Sequence, residues 1–470
     1  MRNRFYLWLL LISGVVLLAY LTSAAYREMS PEWKKYQAEY RELLIKNSKA
    51  SGAKNRAMAP EIKVRQIYLG GLKRVERCTS CHAGIENPLM KNEKVPLRQH
   101  SGDYLKNHPV EKFGCTVCHY GQGRATNSKE AHGVGHETHW DYPIIPLSYI
   151  QSSCVQCHDL ETLQNNGSEE IAQGEMLFRE KGCKGCHKLN GAGGVLGKAL
   201  DGVGSQPIAY FPMAFIRGER NVYSWLKEHF DDPRNIVPGS EMKSDFTDRE
   251  ADLLTTYVLS LRSEEMPGKY RLVRRFPDIE IRSAGGEALY RMYCIACHTN
   301  GKDSVNDEVF KRTIPAIMNP AFLKAVDNRY LKKVIEEGRA GTQMTAWKSA
   351  AAGLTDREID KVISYITRER PHGKPETFGI ARYKGDAAHG EELYKIRCVS
   401  CHGAQGEGGV GLNLRNPVVQ KNADPEFLAI TVRDGRTGTH MAAFGEKGVG
   451  LSNQDIADVV TFVRTLASRK

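Results

Sequence analysis

The placement of cysteine constrains this chain more than any other feature. All 12 cysteines fall into six Cys-x-x-Cys pairs, and each pair is followed at once by histidine. They are Cys78 and Cys81 with His82, Cys115 and Cys118 with His119, and Cys154 and Cys157 with His158. Then come Cys183 and Cys186 with His187, Cys294 and Cys297 with His298, and Cys398 and Cys401 with His402. No cysteine is left over. This is the attachment signature of c-type haem, in which two thioether bonds fix the macrocycle and the adjacent histidine reaches the iron. Zinc would draw two Cys-x-x-Cys units into one four-ligand site, with no need of a histidine in fifth place every time. A redox dithiol usually occurs once, within a βαβ pattern. The expected cofactors are six covalently bound haem c groups, held by the twelve cysteines with the six adjoining histidines as proximal ligands.

At roughly 100–200 residues per domain, 470 residues make about three to four domains. The formal net charge of +11 is no argument for nucleic acid, because two propionates on each of six haems would nearly cancel it. No nucleic-acid partner is expected.

Arg2 and Arg4 precede an uncharged apolar run from Phe5 to Tyr26. As a helix that run is about 33 Å long, enough for a hydrocarbon core of about 30 Å. The positive flank predicts a cytoplasmic N-terminus, with the rest of the chain on the periplasmic side of the inner membrane. A cleaved signal peptide is the rival, since Ser23-Ala24-Ala25 loosely resembles a cleavage site; signal-peptide apolar regions are usually shorter. Ser30-Pro31 then opens a helix with Trp33, Tyr36, Tyr40 and Leu43 at helical spacing. That stripe suits a membrane surface, a partner subunit or the protein's own body.

Residues 78–158 carry three haem motifs, so haem itself must form much of the core there. Five further histidines cluster in the same stretch: His100, His108, His132, His136 and His139. They point to bis-histidine ligation. His108, His132 and His139 are the expected distal ligands, with His100 the replacement for any of them.

The C-terminal part holds a threefold repeat. Each unit opens on a helix running into the haem motif: GEMLFREKGCKGCH, GEALYRMYCIACH and GEELYKIRCVSCH. Each closes on a capped amphipathic helix: FTDREADLLTTYVLSL, LTDREIDKVISYITRE and LSNQDIADVVTFVRTL. Gly174 with Phe178, Gly286 with Tyr290 and Gly390 with Tyr394 are placed to cross Tyr257, Tyr365 and Phe462 of the closing helices. Between the helices each unit offers one methionine on a loop: Met242, Met344 and Met441. Matched loop positions argue for iron ligation over core packing. His440 adjoins Met441, but Gln343 stands at the equivalent place in the second unit. His229, His372 and His389 have no counterparts and read as surface residues.

On these motifs residues 170–470 resemble three fused class I cytochrome c domains. Residues 60–160 are similar to the trihaem segment of membrane-anchored multihaem cytochromes of bacterial respiratory systems, some of which act beside Rieske and cytochrome b proteins as quinol-oxidising complexes. The expected fold is mainly α: a membrane anchor over 1–29, a juxtamembrane helix and linker over 30–77, and a loop-rich trihaem domain over 78–165. Three tandem cytochrome c domains follow over 170–265, 283–370 and 386–470. The resemblance implies an electron-transfer subunit, with cytochrome b/Rieske-type or other quinol-oxidising membrane subunits as donors and a soluble cytochrome c or another periplasmic acceptor downstream. Two alternatives stand beside it. One is a multihaem reductase of nitrite, hydroxylamine or peroxide with an open haem site; the other is a free-standing membrane-tethered carrier. No catalytic residue is assigned.

Overall fold

The structure is a computed structural model that describes residues 2–50, 60–133, 142–263, 266–267, 270, 284–307, 312–349, 352–372 and 377–468. By its internal contacts the chain divides into two units. One comprises residues 1–158, 206–225 and 265–272; the other comprises 159–205, 226–264 and 273–470. The fold is mainly α. Among the described residues, strands are confined to three short antiparallel ribbons.

In the first unit, helix α1 (Arg2–Met29) carries the apolar run. Its Arg4–Tyr26 stretch is long and apolar enough to cross a membrane, and none of it is buried against protein. Helix α2 (Glu32–Ala50) answers the question of its aromatic stripe by packing on its own body. Tyr40 and Leu44 form an apolar cluster with Met90 and Leu97. Around that cluster Asn87 Nδ2 donates to the Tyr40 hydroxyl at 2.8 Å, Gln37 Nε2 to the Ser80 carbonyl at 2.9 Å, and the Ser128 N–H to Glu32 at 2.7 Å. Beyond α2, α-helical pieces from Tyr104 to His132 run only four or five residues, and a 3-10 stretch spans Leu147–Gln156. This is the loop-rich segment that the density of haem motifs predicts.

The repeats are built on α3 (Glu169–Glu180), α4 (Val222–Asp231) and α5 (Asp248–Ser260); then α6 (Gly286–Tyr293), α7 (Asn328–Glu337) and α8 (Asp356–Ile366); then α9 (Ala387–Arg397), α10 (Pro425–Asp434) and α11 (Asn453–Thr465). Each closing helix starts with a complete capping box, Thr247 with Glu250, Thr355 with Glu358 and Ser452 with Asp455. A cap of this kind contributes about 1 kcal/mol. Opening and closing helices cross where a glycine lets them meet. A Cβ at Gly174, Gly286 or Gly390 would lie 2.3, 2.1 or 2.0 Å from the carbonyl of Leu253, Lys361 or Asp458. Beside each crossing two aromatic rings pack at 5.1–5.3 Å, Phe178 on Tyr257, Tyr290 on Tyr365 and Tyr394 on Phe462.

The second and third repeats meet through matching surfaces. Asn319 Nδ2 donates to the Thr437 carbonyl at 2.8 Å, and Asn416 Nδ2 to the Ala340 carbonyl at 2.8 Å. Both partners of one bond lie 97 residues from their counterparts in the other, so the contact is a pseudo-twofold one. Tyr330 and Phe427, themselves equivalent positions, stack at 5.1 Å across it.

Candidate metal centres

Each of the six motifs forms one tight turn. The histidine N–H donates to the carbonyl of the first cysteine at 2.9–3.1 Å in every case, which brings both cysteines and the ring together. All twelve cysteines are half-buried.

In the first unit each motif histidine faces a second imidazole. Ring centroids lie 6.3 Å apart for His82 and His132, 6.2 Å for His119 and His100, and 5.9 Å for His158 and His108. Two imidazoles on opposite sides of one metal, with bonds of about 2 Å, place their centroids roughly 6 Å apart. The three pairs therefore fit three irons. His132, His100 and His108 each face a motif histidine; His139, like His136, lies outside the described residues.

Second-layer hydrogen bonds orient these rings. His100 Nδ1 contacts the Ser101 carbonyl at 2.7 Å and His108 Nδ1 the Tyr104 carbonyl at 3.0 Å. In the second unit His187 Nδ1 contacts the Lys198 carbonyl at 2.8 Å, His298 Nδ1 the Pro315 carbonyl at 3.3 Å, and His402 Nδ1 the Leu412 carbonyl at 2.8 Å. A carbonyl can only accept, so each contact puts the proton on Nδ1 and leaves the Nε2 lone pair for a metal. Burial pushes His82 and His298 down to about 4 and holds His119, His187 and His402 below the usual range. All five are thus neutral at pH 7, the form that ligates. A Cβ at Gly197 would sit 2.4 Å from the His187 ring, so the chain passes there only as glycine.

The three methionines share one loop geometry. The N–H of Met242 donates to Ser240 Oγ at 3.2 Å, that of Met344 to Thr342 Oγ1 at 3.1 Å, and that of Met441 to Thr439 Oγ1 at 3.1 Å. In the last two repeats the loop is closed again by Arg339 N–H to the Met344 carbonyl and Arg436 N–H to the Met441 carbonyl. All three methionines are half-buried, whereas His440 is exposed.

Two histidines differ from their reading as plain surface groups. His229 is half-buried, and burial followed by the nearby His187 pushes it down to about 4. His389 contacts Asp458 at 2.8 Å, which raises its pKa. Sequence reasoning also missed that attachment cysteines of different motifs touch. The Cys78 and Cys115 sulphurs lie within 4.8 Å of each other, and Cys186 lies beside Cys297. Nothing in either motif's own spacing signals such a contact.

Residues 171–262 match the family model "Cytochrome c". Cytochrome c-554(547) of Halothiobacillus neapolitanus is 33% identical over 92 residues, 17% of this chain and 98% of that protein. The chain belongs to the cytochrome c family. Residues 282–366 and 385–463 of this multihaem c-type cytochrome match a second model, "Cytochrome C oxidase, cbb3-type, subunit III". The Cbb3-type cytochrome c oxidase subunit CcoP of Azospirillum sp. (strain B510) is 25% identical over 205 residues, 40% of this chain. The match spans 63% of that subunit, less than two thirds of its length. Among solved structures, a chain of a Kuenenia stuttgartiensis reducing HAO-like protein complex aligns at 18% identity over 38% of this chain and 94% of its own. Its TM-score is 0.27, and the likeness carries no argument. The cytochrome c domains bind haem covalently and transfer electrons.

Proposed function

We propose that this cytochrome carries six haems c on a single inner-membrane anchor, with its haem domains in the periplasm. It passes electrons from a quinol-oxidising membrane partner of the cytochrome b/Rieske type to a soluble cytochrome c or another periplasmic acceptor. In this reading His82 and His132, His119 and His100, and His158 and His108 ligate the first three irons. His187 with Met242, His298 with Met344, and His402 with Met441 ligate the other three.

The observation that carries the reading is the change of ligand type along the chain. Bound haem supplies one-electron chemistry, and methionine/histidine ligation raises its potential relative to bis-histidine. The histidine pairs belong to the unit that bears the anchor, and the methionine loops to the three repeats. That order favours flow from a membrane donor outward. The protein's part is to hold each imidazole by its Nδ1 bond, to bury it neutral, and to keep successive sites on one chain so that the next transfer is intramolecular. The likeness to a subunit of a cytochrome c oxidase supports a place in a respiratory complex.

The test is purification from native membranes in mild detergent, with co-migrating subunits identified by mass spectrometry and the haems titrated potentiometrically. Recovery of a cytochrome b or Rieske-type subunit, with three low and three high potentials, is the expected result. Recovery of the chain alone at full haem content makes it a free-standing carrier. Potentials of the first three sites above those of the last three would reverse the proposed direction.

A further inference from the structure

The three repeats are joined by two kinds of contact, and one kind leaves a face over. The second and third repeats meet beside their methionine loops, through the paired Asn319 and Asn416 bonds. The first and second meet through the haem motifs themselves. A Cβ at Gly182, the residue before the first cysteine of one motif, would lie 2.8 Å from Ile295, the residue after the first cysteine of the other. The reverse contact is present too: Lys184 Nζ lies 5.4 Å from the ring centroid of Tyr293. Gly185 and Ala296 hold equivalent places and meet each other, where a Cβ on Gly185 would stand 3.4 Å from that of Ala296. The same surface is thus used on both sides, as in an isologous dimer.

Burial follows from that contact. Tyr293 is 2% exposed and Lys184 4%. Met292, two places before its first cysteine, is 3% exposed and lines a cleft with Met176 and Arg179 of α3. The third repeat carries the same surface uncovered. Its counterpart of Met292 is Ile396, which is 72% exposed, and Arg397 and Ser400, at the places of Tyr293 and Ala296, are exposed as well. With its methionine-loop side engaged by the second repeat, this motif face is what the third repeat offers to another molecule. Two cations flank Ile396. Lys395 pairs with Glu391 along α9 at 3.2 Å, and Arg397 follows at the edge of the motif. A second copy of this chain would bring the Arg397 of each molecule to one contact and set like charges together, so an acidic rim suits the partner.

We infer that the haem-motif face of the third repeat, centred on Ile396, is the docking surface for the soluble acceptor, and that this acceptor is a c-type cytochrome presenting its own Cys-x-x-Cys-His turn within a rim of carboxylates. The assignment rests on the proposed carrier function and gives it an exit, the sixth site. One electron leaves that site, which is oxidised by one, and reduces the ferric haem of the partner by one; no bond is made or broken and no proton moves. Docked as the first two repeats dock, the two motifs come face to face, and the small side chain of Ser400 leaves room for the approach. Ile396 supplies apolar area at the centre, and Arg397 steers an acidic partner in a way that salt screens. Neither residue attaches or ligates a haem, so recognition is their whole part.

The test is stopped-flow mixing of the reduced, detergent-solubilised full-length protein with two oxidised soluble class I cytochromes c, one acidic and one basic. The parent is compared with I396E, R397E and L147E, each first checked for six haems and unshifted potentials. Leu147, 71% exposed in the first unit, marks a rival face. With the acidic cytochrome, I396E and R397E are expected to lower the second-order rate constant about tenfold at low ionic strength, within the range that association rates span among variants of one interface. L147E should leave it unchanged. R397E should also flatten the salt dependence and turn the preference toward the basic cytochrome. An unchanged rate in I396E or in R397E, or an equal loss in L147E, would overturn the docking surface while leaving the carrier reading intact. A parent protein that sediments as a dimer, dissociated by I396E, would give the face to a second copy and overturn the choice of partner. A parent protein that reduces neither cytochrome would instead remove the acceptor reading on which the surface rests.

Discussion

The segment of three haem motifs and the helical repeats solve the same problem, keeping a motif histidine away from water, with different materials. Among the described residues between 78 and 158 the buried hydrophobic side chains are Met90, Leu97, Val110, Val117, Ile145 and Tyr149, few and scattered beside the packed cores of the repeats. In the second repeat a single apolar cluster runs from Leu289 to Ile366 and continues into Val418, Val419 and Phe427 of the third. Where helices pack, the pocket exists by virtue of their crossing, and its ligands sit at fixed places on short loops. Where they do not, facing histidines define the architecture. On the proposed ligation, the ligand set of the trihaem segment is its tertiary structure, while in the repeats the ligand is an addition to a helical frame.

The largest expected effect follows from that contrast. On the proposed ligation His82 with His132, His119 with His100 and His158 with His108 are each a closed pair, so H132A, H100A or H108A opens one distal position where the parent protein has none. Each variant, reduced with dithionite, should bind carbon monoxide at one new site and show a loss of low-spin absorbance; distal access decides such binding. H139A should bind no more than the parent. A new site in H139A, with none in H100A, would reassign the second haem's ligand. Strong binding by the unmutated protein would favour the reductase alternative.

What was legible in the sequence divides along the same line. Covalent attachment demands contiguous residues, so all six motifs could be read directly. The methionine loops could be read because three copies of one local turn stood in register, and the structure gives Met242, Met344 and Met441 the same hydrogen bond. The glycine–aromatic crossings were equally local and lie where the repeat pattern put them. Distal histidines obey no such rule. His132 follows its partner motif by 50 residues, whereas His100 and His108 precede theirs. With five histidines for three positions, it takes the fold to set His132, His100 and His108 opposite motif histidines. The sulphur contacts between motifs were invisible for the same reason: Cys186 and Cys297 are brought together by the packing of two repeats, and neither motif is altered by having a neighbour.

An intermediate effect tests the claim that crossings make the pockets in the repeats. G286A places a methyl group 2.1 Å from the Lys361 carbonyl, a backbone atom that cannot swing aside. Overpacking of this kind costs about 1–3 kcal/mol, visible as a lower denaturation midpoint in guanidinium. G174A and G390A should behave alike. G285A is the control: nothing lies within 4 Å of its Cβ, and its cost as an N-cap change should stay below about 1 kcal/mol. Equal losses for G285A and G286A would show that helix propensity, rather than the crossing, sets the stability of the unit. The trihaem segment, whose described residues show no such helix pair, should be spectroscopically unchanged in all four variants.

The smallest effect concerns how repeats are joined to one another. Asn319 and Asn416 each do two things: the side-chain oxygen caps the helix that follows, and the amide reaches across the pseudo-twofold contact to a carbonyl of the opposite methionine loop. Serine keeps the cap and removes the reach. N319S and N416S should therefore each cost only the net value of one hydrogen bond, about 0.5–1.5 kcal/mol. Because Ala340 and Thr437 precede Met344 and Met441 by the same four residues, each substitution loosens the loop of the other repeat rather than its own. The ligand field of the sixth haem should respond to N319S, and that of the fifth to N416S, in the paramagnetic NMR shifts of the axial methionine. A response confined to the mutated repeat would mean that the two halves are merely adjacent, and the reciprocal bonds would then have no part in holding either methionine.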